Sequence, residues 1–125
     1  MTSRKLARKA AYVAAAAAFA GALVAQPASA AQVTAKYRTV EVAVDNSPGN
    51  GAAGWVWVWA GAGDGTIRGT IEYQFSDGYV HSLSTGVGYS KSQSTSSKIK
   101  GFRACRTIRV EGYEIDSCGS WNYFW

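Results

Sequence analysis

Few of the side chains that catalysis and metal binding depend on occur in this sequence. Its 125 residues include one histidine, His81, two cysteines and one methionine. A zinc site draws three or four ligands from histidine, cysteine and carboxylate side chains, and two disulfide-bonded cysteines would leave too few. The loop acids Asp45 and Asp64 do not have the spacing of a calcium-binding loop. The sequence therefore predicts no bound metal and no cofactor.

A recognisable catalytic constellation is also missing from the sequence. No serine lies in a G-x-S-x-G or comparable setting, and His81 lies beside a predicted turn, so we expect it at the surface. A glycosidase needs two carboxylates on either side of a sugar. Glu111 is expected in a turn and Glu114 is expected to pair with an arginine, which leaves Asp116 without a second carboxylate. We expect a protein that is not an enzyme.

Long hydrophobic runs are missing as well. Residues 10–25 form an alanine-rich stretch of 16 residues, shorter than the roughly 20 that a membrane-spanning helix needs. The stretch precedes Ala28-Ser29-Ala30 and follows a start with four basic residues and no acid: Arg4, Lys5, Arg8 and Lys9. This order is typical of a secretory signal. We predict that residues 1–30 are a cleaved signal peptide, and that residues 31–125 form one secreted, extracellular domain without a membrane span.

The net charge of +5 belongs largely to that signal. Without its four basic residues, the mature part keeps nine basic residues against eight acidic ones, which argues against nucleic acid as a partner. No acid falls between Asp77 and Glu111, where six basic residues cluster. We expect a solvated face there, with an anionic polymer such as one from a cell wall as the alternative partner. The six are Lys91, Lys98, Lys100, Arg103, Arg106 and Arg109.

Period-two alternation, bounded by turn residues, recurs along residues 36–125 and predicts strands. Residues 36–44 place three valines on one face, and residues 66–76 alternate as cleanly. Asp77-Gly78 predicts a two-residue hairpin turn, with residues 79–89 as the returning strand. The serine-rich residues 90–97 are typical of a loop or an edge strand. The predicted fold class is all-β, a small antiparallel β-sandwich, Ig-like or related.

The two cysteines fit one hairpin. A two-residue turn at 111–112 places Cys105 opposite Cys118 at a non-hydrogen-bonded position, where the Cα atoms are close enough for a disulfide. Secreted proteins form disulfides by default, so we predict this bridge. The same register pairs opposite charges and matched apolar residues: Arg109 with Glu114 and Ile108 with Ile115.

This register also predicts which side chains are buried. One face should point to the core, and it carries Ile108, Val110, Tyr113 and Ile115. The other face should be wetter, and it carries Cys105, Thr107, Arg109, Glu114, Asp116 and Cys118.

The unusual feature of the mature chain is its tryptophans. Trp55, Trp57 and Trp59 alternate with two valines, so in a strand all three project from one face. Two interpretations stay open: the indoles are core, or they form an exposed row about 7 Å apart that binds sugar rings or a protein. The chain also ends in aromatic residues that must dock on their own sheet or on another molecule. The candidate binding residues are Trp55, Trp57, Trp59, Trp121, Tyr123 and Trp125.

The start of the mature chain offers a further possibility. Residues 31–54 contain an extended valine-rich segment and a polar loop of seven residues. The segment is either an ordinary first strand or a strand that leaves its own sandwich and completes a sheet in a neighbour.

The end of the chain resembles small secreted actinobacterial β proteins of unassigned function. The resemblance lies in two short runs, Arg103-Ala104-Cys105-Arg106 and Cys118-Gly119-Ser120-Trp121. Through its size, export and β character the chain also resembles the adaptor subunit of umbrella toxin particles, which joins a lectin subunit to a repeat-bearing scaffold. That second resemblance implies the strand-addition role and assigns no functional residue.

These observations lead to a functional expectation. We expect a secreted, non-catalytic interaction protein, an adaptor or accessory subunit that binds another extracellular protein. The alternative is a polysaccharide-binding or antimicrobial protein that uses the exposed tryptophan row. The partner is accordingly an extracellular protein, or a cell-wall or other polysaccharide.

Overall fold

Nine β-strands account for most of residues 32–124, the part of the chain that this computed structural model describes. The strands are β1 (Gln32–Tyr37), β2 (Val40–Asp45), β3 (Gly54–Ala60), β4 (Thr66–Gln74), β5 (Val80–Gly86), β6 (Ser90–Thr95), β7 (Gly101–Val110), β8 (Tyr113–Cys118) and β9 (Asn122–Tyr123). The predicted signal peptide and Trp125 lie outside the described residues. Within those residues there is no helix long and apolar enough to cross a membrane.

The strands form two antiparallel sheets. Sheet one has the order β1-β2-β3-β6, and sheet two has the order β5-β4-β7, with β8 and β9 both pairing along the far side of β7. The chain crosses between the sheets after β3, β5 and β6. The two sheets pack face to face around a shared core. The prediction of an all-β antiparallel sandwich is confirmed.

The core comes from the alternation that the sequence shows. Val40, Val42 and Val44 of β2 are fully buried, and they pack with Ile71 of β4 and Phe102 of β7 in one hydrophobic cluster. The β2 strand lies between β1 and β3, so this segment is an internal strand of its own sheet. The alternative in which it leaves the sandwich is not the arrangement of this structure.

The hairpin of β7 and β8 has the predicted register. Cys105 pairs with Cys118 and forms the disulfide, with the two Cα atoms 4.0 Å apart. Glu111 and Gly112 form the turn with positive φ angles of 51° and 87°, the conformation of a type I′ hairpin turn. The disulfide and the register are both confirmed.

The predicted burial of this hairpin is partly wrong. Val110, Tyr113 and Ile115 are 42%, 76% and 47% exposed. β4 begins at Thr66, which pairs with Ile108, so the tip of the hairpin extends beyond the packed sheets and no part of residues 32–124 covers it. On the supposedly wetter face, in contrast, Cys105 and Thr107 are buried.

The predicted Asp77-Gly78 hairpin turn is also wrong. β4 and β5 are joined by five residues, because the last pair of the ladder is Gln74 with Val80. The carboxylate of Asp77 accepts a hydrogen bond from the backbone N–H of Tyr79 at 2.9 Å, which closes a local turn in place of the tight hairpin. The returning strand ends at Gly86. The serine-rich segment that follows is the edge strand β6 of the other sheet.

Candidate functional site

The orientation of β3 decides between the two interpretations of its tryptophans. Val56 and Val58 are 0% exposed and lie in the core, opposite Val44 and Val42 of β2. The three indoles therefore project from the outer side of sheet one, where they are half-buried. The interpretation that made them core residues is wrong. We call the outer side of sheet one around Trp55, Trp57 and Trp59 the tryptophan face.

The close approach of the two sheets gives the physical reason. A Cβ added to Gly69 of β4 would lie 2.9 Å from the Cβ of Ala60 and 3.1 Å from Val40. At this spacing the inner layer of β3 has room for valine and alanine, whereas an indole would force the sheets apart. The alternating sequence therefore places its larger side chains outward.

Small and polar side chains flank each indole. On the β6 side the three exposed serines Ser94, Ser92 and Ser90 pair with Trp55, Trp57 and Trp59 in that order. On the β2 side the partners, in the same order, are Asp45, Ala43 and Glu41. Serine hydroxyls donate and accept hydrogen bonds, and carboxylates accept them. The tryptophan face is thus an apolar row between two polar borders.

Ala43 shows how closely side chains cover the tryptophan face. Its side chain is on the tryptophan face, yet the residue is 0% exposed. Its direct cross-strand neighbours are Trp57 and Thr34, and Thr34 is itself exposed. The alanine methyl group is therefore covered by neighbouring side chains, among which the Trp57 indole is the largest of its direct cross-strand neighbours.

Two aromatic residues near the C-terminus, Trp121 and Tyr123, lie on the outer side of sheet two. Tyr123 pairs with Gly101 of β7 and is 44% exposed. Its ring stacks beside Trp121, with centroids 6.1 Å apart and planes 21° from parallel. Phe124 points inward and stacks on Phe102 at 5.9 Å, so this residue docks on its own sheet. We call Trp121 and Tyr123 the C-terminal pair.

The six predicted binding residues therefore do not form one site. Three belong to the tryptophan face of sheet one, and two belong to the outer side of sheet two. Trp125 lies outside the described residues.

An ion pair that the sequence did not predict lies beside the C-terminal pair. The guanidinium of Arg103 lies 4.7 Å from the centroid of the Trp121 ring. It also donates from Nε and Nη2 to Oε1 of Glu72, at 2.8 Å and 2.7 Å. Arg103 and Glu72 are cross-strand neighbours on β7 and β4. The pairing of these two strands, which are distant in sequence, carries no local signal that could have revealed it.

The six clustered basic residues do not share one surface. Arg103 and Arg109 are each paired with a glutamate. Arg106 donates from Nη1 to the backbone carbonyl of Asp64 at 3.0 Å, and its buried Nε has no partner. Lys91 is on the edge strand β6. This arrangement favours solvated and locally paired charges over one anion-binding patch.

Glu114, one of the carboxylates considered for catalysis, has the wrong environment for a general acid. Glu114 is bound by Arg109 and Arg68, whose hydrogen bonds hold its pKa below the usual value. A glycosidase acid needs the opposite shift. His81 is exposed, with its ring 4.7 Å from that of Phe75.

Among the described residues, one group of three side chains has the composition of a metal site. Glu72, Cys105 and Cys118 lie within 4.8 Å of one another. The two sulfur atoms are bonded to each other in the disulfide, so they do not supply thiolate ligands.

No protein-family model matches the chain, and the comparisons with curated proteins and with solved structures also gave no match. The function is therefore argued from the surface itself.

Proposed function

We propose that this protein is an extracellular, non-catalytic binding protein, and that the tryptophan face binds an extended β-linked polysaccharide. The observation that carries the proposal is the orientation of β3, which buries its valines and turns three indoles outward in a straight row.

The chemistry of the tryptophan face suits sugars. The C–H groups on the flat side of a pyranose ring are apolar and carry a partial positive charge, so they stack on the negative face of an aromatic ring. The hydroxyls then project sideways from the ring. Beside the central indole they would meet Ser92, and beside the outer indoles they would also meet Glu41 and Asp45.

The shape of the tryptophan face favours a straight polymer. Trp55 and Trp59 are four residues apart on one strand, a distance of about 14 Å. This length fits several consecutive sugar rings of an extended chain. A flat, straight β-linked chain, such as the backbone of cellulose, chitin or peptidoglycan, can follow such a row, whereas a helical α-linked chain cannot.

The extracellular part of the proposal is supported by two separate observations. The first 30 residues have the pattern of a secretory signal. The disulfide between Cys105 and Cys118 is the kind of bond that persists in oxidising compartments.

A protein partner is the other candidate, since tryptophans are favoured anchors in protein interfaces. Its more specific form, strand addition by the N-terminal segment, receives no support from β2, whose pairing partners are both within the domain. The experiment below separates the two candidates.

The test is retention of the exported protein on insoluble cellulose, chitin and peptidoglycan, with granular starch as the α-linked comparison. Wild type should be retained on at least one β-linked polymer and not on starch. Trp57→Ala should weaken retention about tenfold or more, as expected for the loss of a central aromatic anchor. Ser92→Arg should do the same, because it places a bulky side chain beside Trp57 from an exposed position.

Tyr113→Ala is the matched control, because it removes an exposed aromatic ring that lies off the tryptophan face. It should be retained like wild type. Failure of wild type to bind any β-linked polymer would refute the polysaccharide proposal. Stoichiometric capture of one extracellular protein, abolished by Ser92→Arg, would then assign the face to a protein partner.

A further inference from the structure

The overhanging tip of the β7–β8 hairpin carries apolar side chains on the side that continues from the core. Alternate residues of a strand project from one side, so the side of β7 that places Phe102 and Ala104 in the core carries Arg106 next. Two apolar residues follow it on the same side, and their cross-strand partners on β8 complete an apolar surface. We call this surface the hairpin strip, and its members are Ile108, Val110, Tyr113 and Ile115.

We propose that the hairpin strip, together with Arg38, Arg106 and the hydroxyl of Tyr37 at its base, binds a single-chain anionic amphiphile of the fatty-acid type. The arginines hold the carboxylate head group, and the acyl chain lies along the strip. This site is separate from the tryptophan face, which is on the outer side of sheet one.

Arg38 and Arg106 differ from the other arginines of residues 32–124. The other three, Arg68, Arg103 and Arg109, each form a salt bridge with a glutamate. Arg38 and Arg106 take part in none of the salt bridges of the described residues, and the hydrogen bonds of Arg106 go to a backbone carbonyl and a hydroxyl. Two guanidiniums without a carboxylate partner favour an oxyanion, which accepts paired hydrogen bonds from the planar fork of an arginine.

The hydroxyl of Tyr37 lies where the charges of the two arginines act together. The Tyr37 ring lies against Gly119, where an added Cβ would approach ring atom Cδ1 to 3.3 Å. Hydrogen bonds of its hydroxyl with Ser117 and Arg38, and the positive charges of Arg38 and Arg106, lower the pKa of Tyr37. A position that favours negative charge on a phenol oxygen also stabilises the carboxylate of a ligand beside it.

The backbone of Arg38 has a conformation that arginine seldom adopts. Arg38 and Thr39 form the two-residue turn between β1 and β2, and Arg38 has a φ angle of 57°. Glycine, asparagine and aspartate adopt a positive φ at lower cost. The turn therefore does not account for an arginine at this position, whereas a binding role for its guanidinium does.

The size of the hairpin strip and the acids around it favour one acyl chain over a membrane surface. Between Arg106 and Val110 the strand rises about 13 Å, which suits a chain of medium length, and the strip is two strands wide. Glu111 and Glu114 of the same hairpin are exposed. The negative surface potential of an anionic bilayer would repel them, whereas a single bound chain places its charge at the arginine end.

The test is isothermal titration of the exported protein with dodecanoate below its critical micelle concentration. Wild type should bind one dodecanoate per molecule in a saturable manner. Dodecyltrimethylammonium has the same chain with the opposite charge, and acetate has the head group without the chain. Each should bind about tenfold or more weakly, because one loses the charged hydrogen bonds and the other loses the apolar contact.

Arg38→Gly separates binding from stability. It should weaken dodecanoate binding about tenfold or more, because a charged hydrogen-bond donor is lost. Its thermal unfolding midpoint should equal or exceed that of wild type, because glycine adopts the positive φ without strain. A residue needed only for the fold would lower the midpoint instead. Ile115→Ser, at an exposed position of the strip, should also weaken binding.

Arg109→Gln is the matched control, because it removes an arginine from the opposite side of the same hairpin. Trp57→Ala is the control for the tryptophan face, and both variants should bind dodecanoate like wild type. Absence of saturable binding, equal affinity for dodecyltrimethylammonium, or unchanged affinity in Arg38→Gly would overturn the proposal. Binding to phosphatidylglycerol vesicles without binding to free dodecanoate would also overturn it, and would assign the strip to a membrane surface.

Discussion

At the scale of single residues, Gly69 illustrates how the absence of a side chain sets the packing of the sandwich. Its position in β4 faces Ala60 and Val40 of the opposite sheet, and a Cβ there would lie 2.9–3.2 Å from their side-chain atoms. These partners are buried and cannot move aside without displacing the core. The glycine is therefore required by the spacing of the sheets.

Gly69→Ala should lower the free energy of unfolding by about 1–3 kcal/mol, the usual cost of overpacking a core. Gly86→Ala is the control, since a Cβ there would meet only Tyr89, at an ordinary 3.9 Å. Urea denaturation of both variants measures the difference. Equal stability of the Gly69→Ala variant and wild type would show that the sheets are further apart than the structure has them.

Glu114 makes the stability of the folded protein depend on pH in the acidic range. Arg109 and Arg68 bind its carboxylate and lower its pKa from the usual value of 4.5. A carboxyl group with a lowered pKa in the folded state stabilises the protein at neutral pH, and this contribution is lost as the pH falls through the lowered value.

The stability lost between about pH 7 and about pH 3 should therefore be smaller in Glu114→Gln than in wild type. Glu111→Gln, at an exposed position outside the salt bridges, should keep the wild-type dependence. Urea unfolding at the two pH values provides the measurement, and an identical loss in Glu114→Gln and wild type would contradict the assigned ion pairs.

At the scale of elements, the hairpin of β7 and β8 shows what could be predicted from the sequence. Its turn residues, its paired charges and its cysteines are close together in the chain, so one register satisfies all of them. The burial of the hairpin tip could not be predicted in the same way, because it depends on where β4 begins in the folded sheet. The local sequence pattern predicted the pairing of β7 with β8, whereas the burial of the hairpin tip depends on how far β4 extends beside it.

Removal of the disulfide tests this element. The variant with both Cys105→Ala and Cys118→Ala should lose roughly 3 kcal/mol of unfolding free energy, as expected for a bridge that closes a short loop. Wild type should lose a similar amount when a reductant is added, whereas the variant should not respond to the reductant. Free thiols in the exported protein, or unfolding of wild type that is insensitive to the reductant, would contradict the bridge.

The β3 strand could be predicted as a strand but its orientation could not. Tryptophan and valine are both apolar, so the alternation does not mark which side faces the core. The deciding facts are the pairing of Val58 with Val42 and the close approach of Gly69 to Ala60. Both are contacts between different strands, which the alternation within β3 does not reveal, and for this reason the sequence left two interpretations open.

At the scale of the whole molecule, the sandwich separates the core that stabilises the fold from the surface that we propose binds a ligand. The core between the sheets is formed by branched aliphatic side chains together with Tyr73 and Phe102, and the three indoles of β3 lie on the outer side of sheet one. Such a division allows the tryptophan face to serve as the proposed binding surface while the inner layer maintains the fold.

The most direct test of the account is hydroxyl-radical footprinting of the folded protein with and without an insoluble β-linked polymer that retains it. We expect Trp55, Trp57 and Trp59 to be oxidised in the free protein and to be protected at least several-fold in the bound protein. Tyr113 should be oxidised at the same rate in both. Indoles that stay unoxidised until the protein unfolds, or that react equally with and without the polymer, would contradict the tryptophan face as a binding surface.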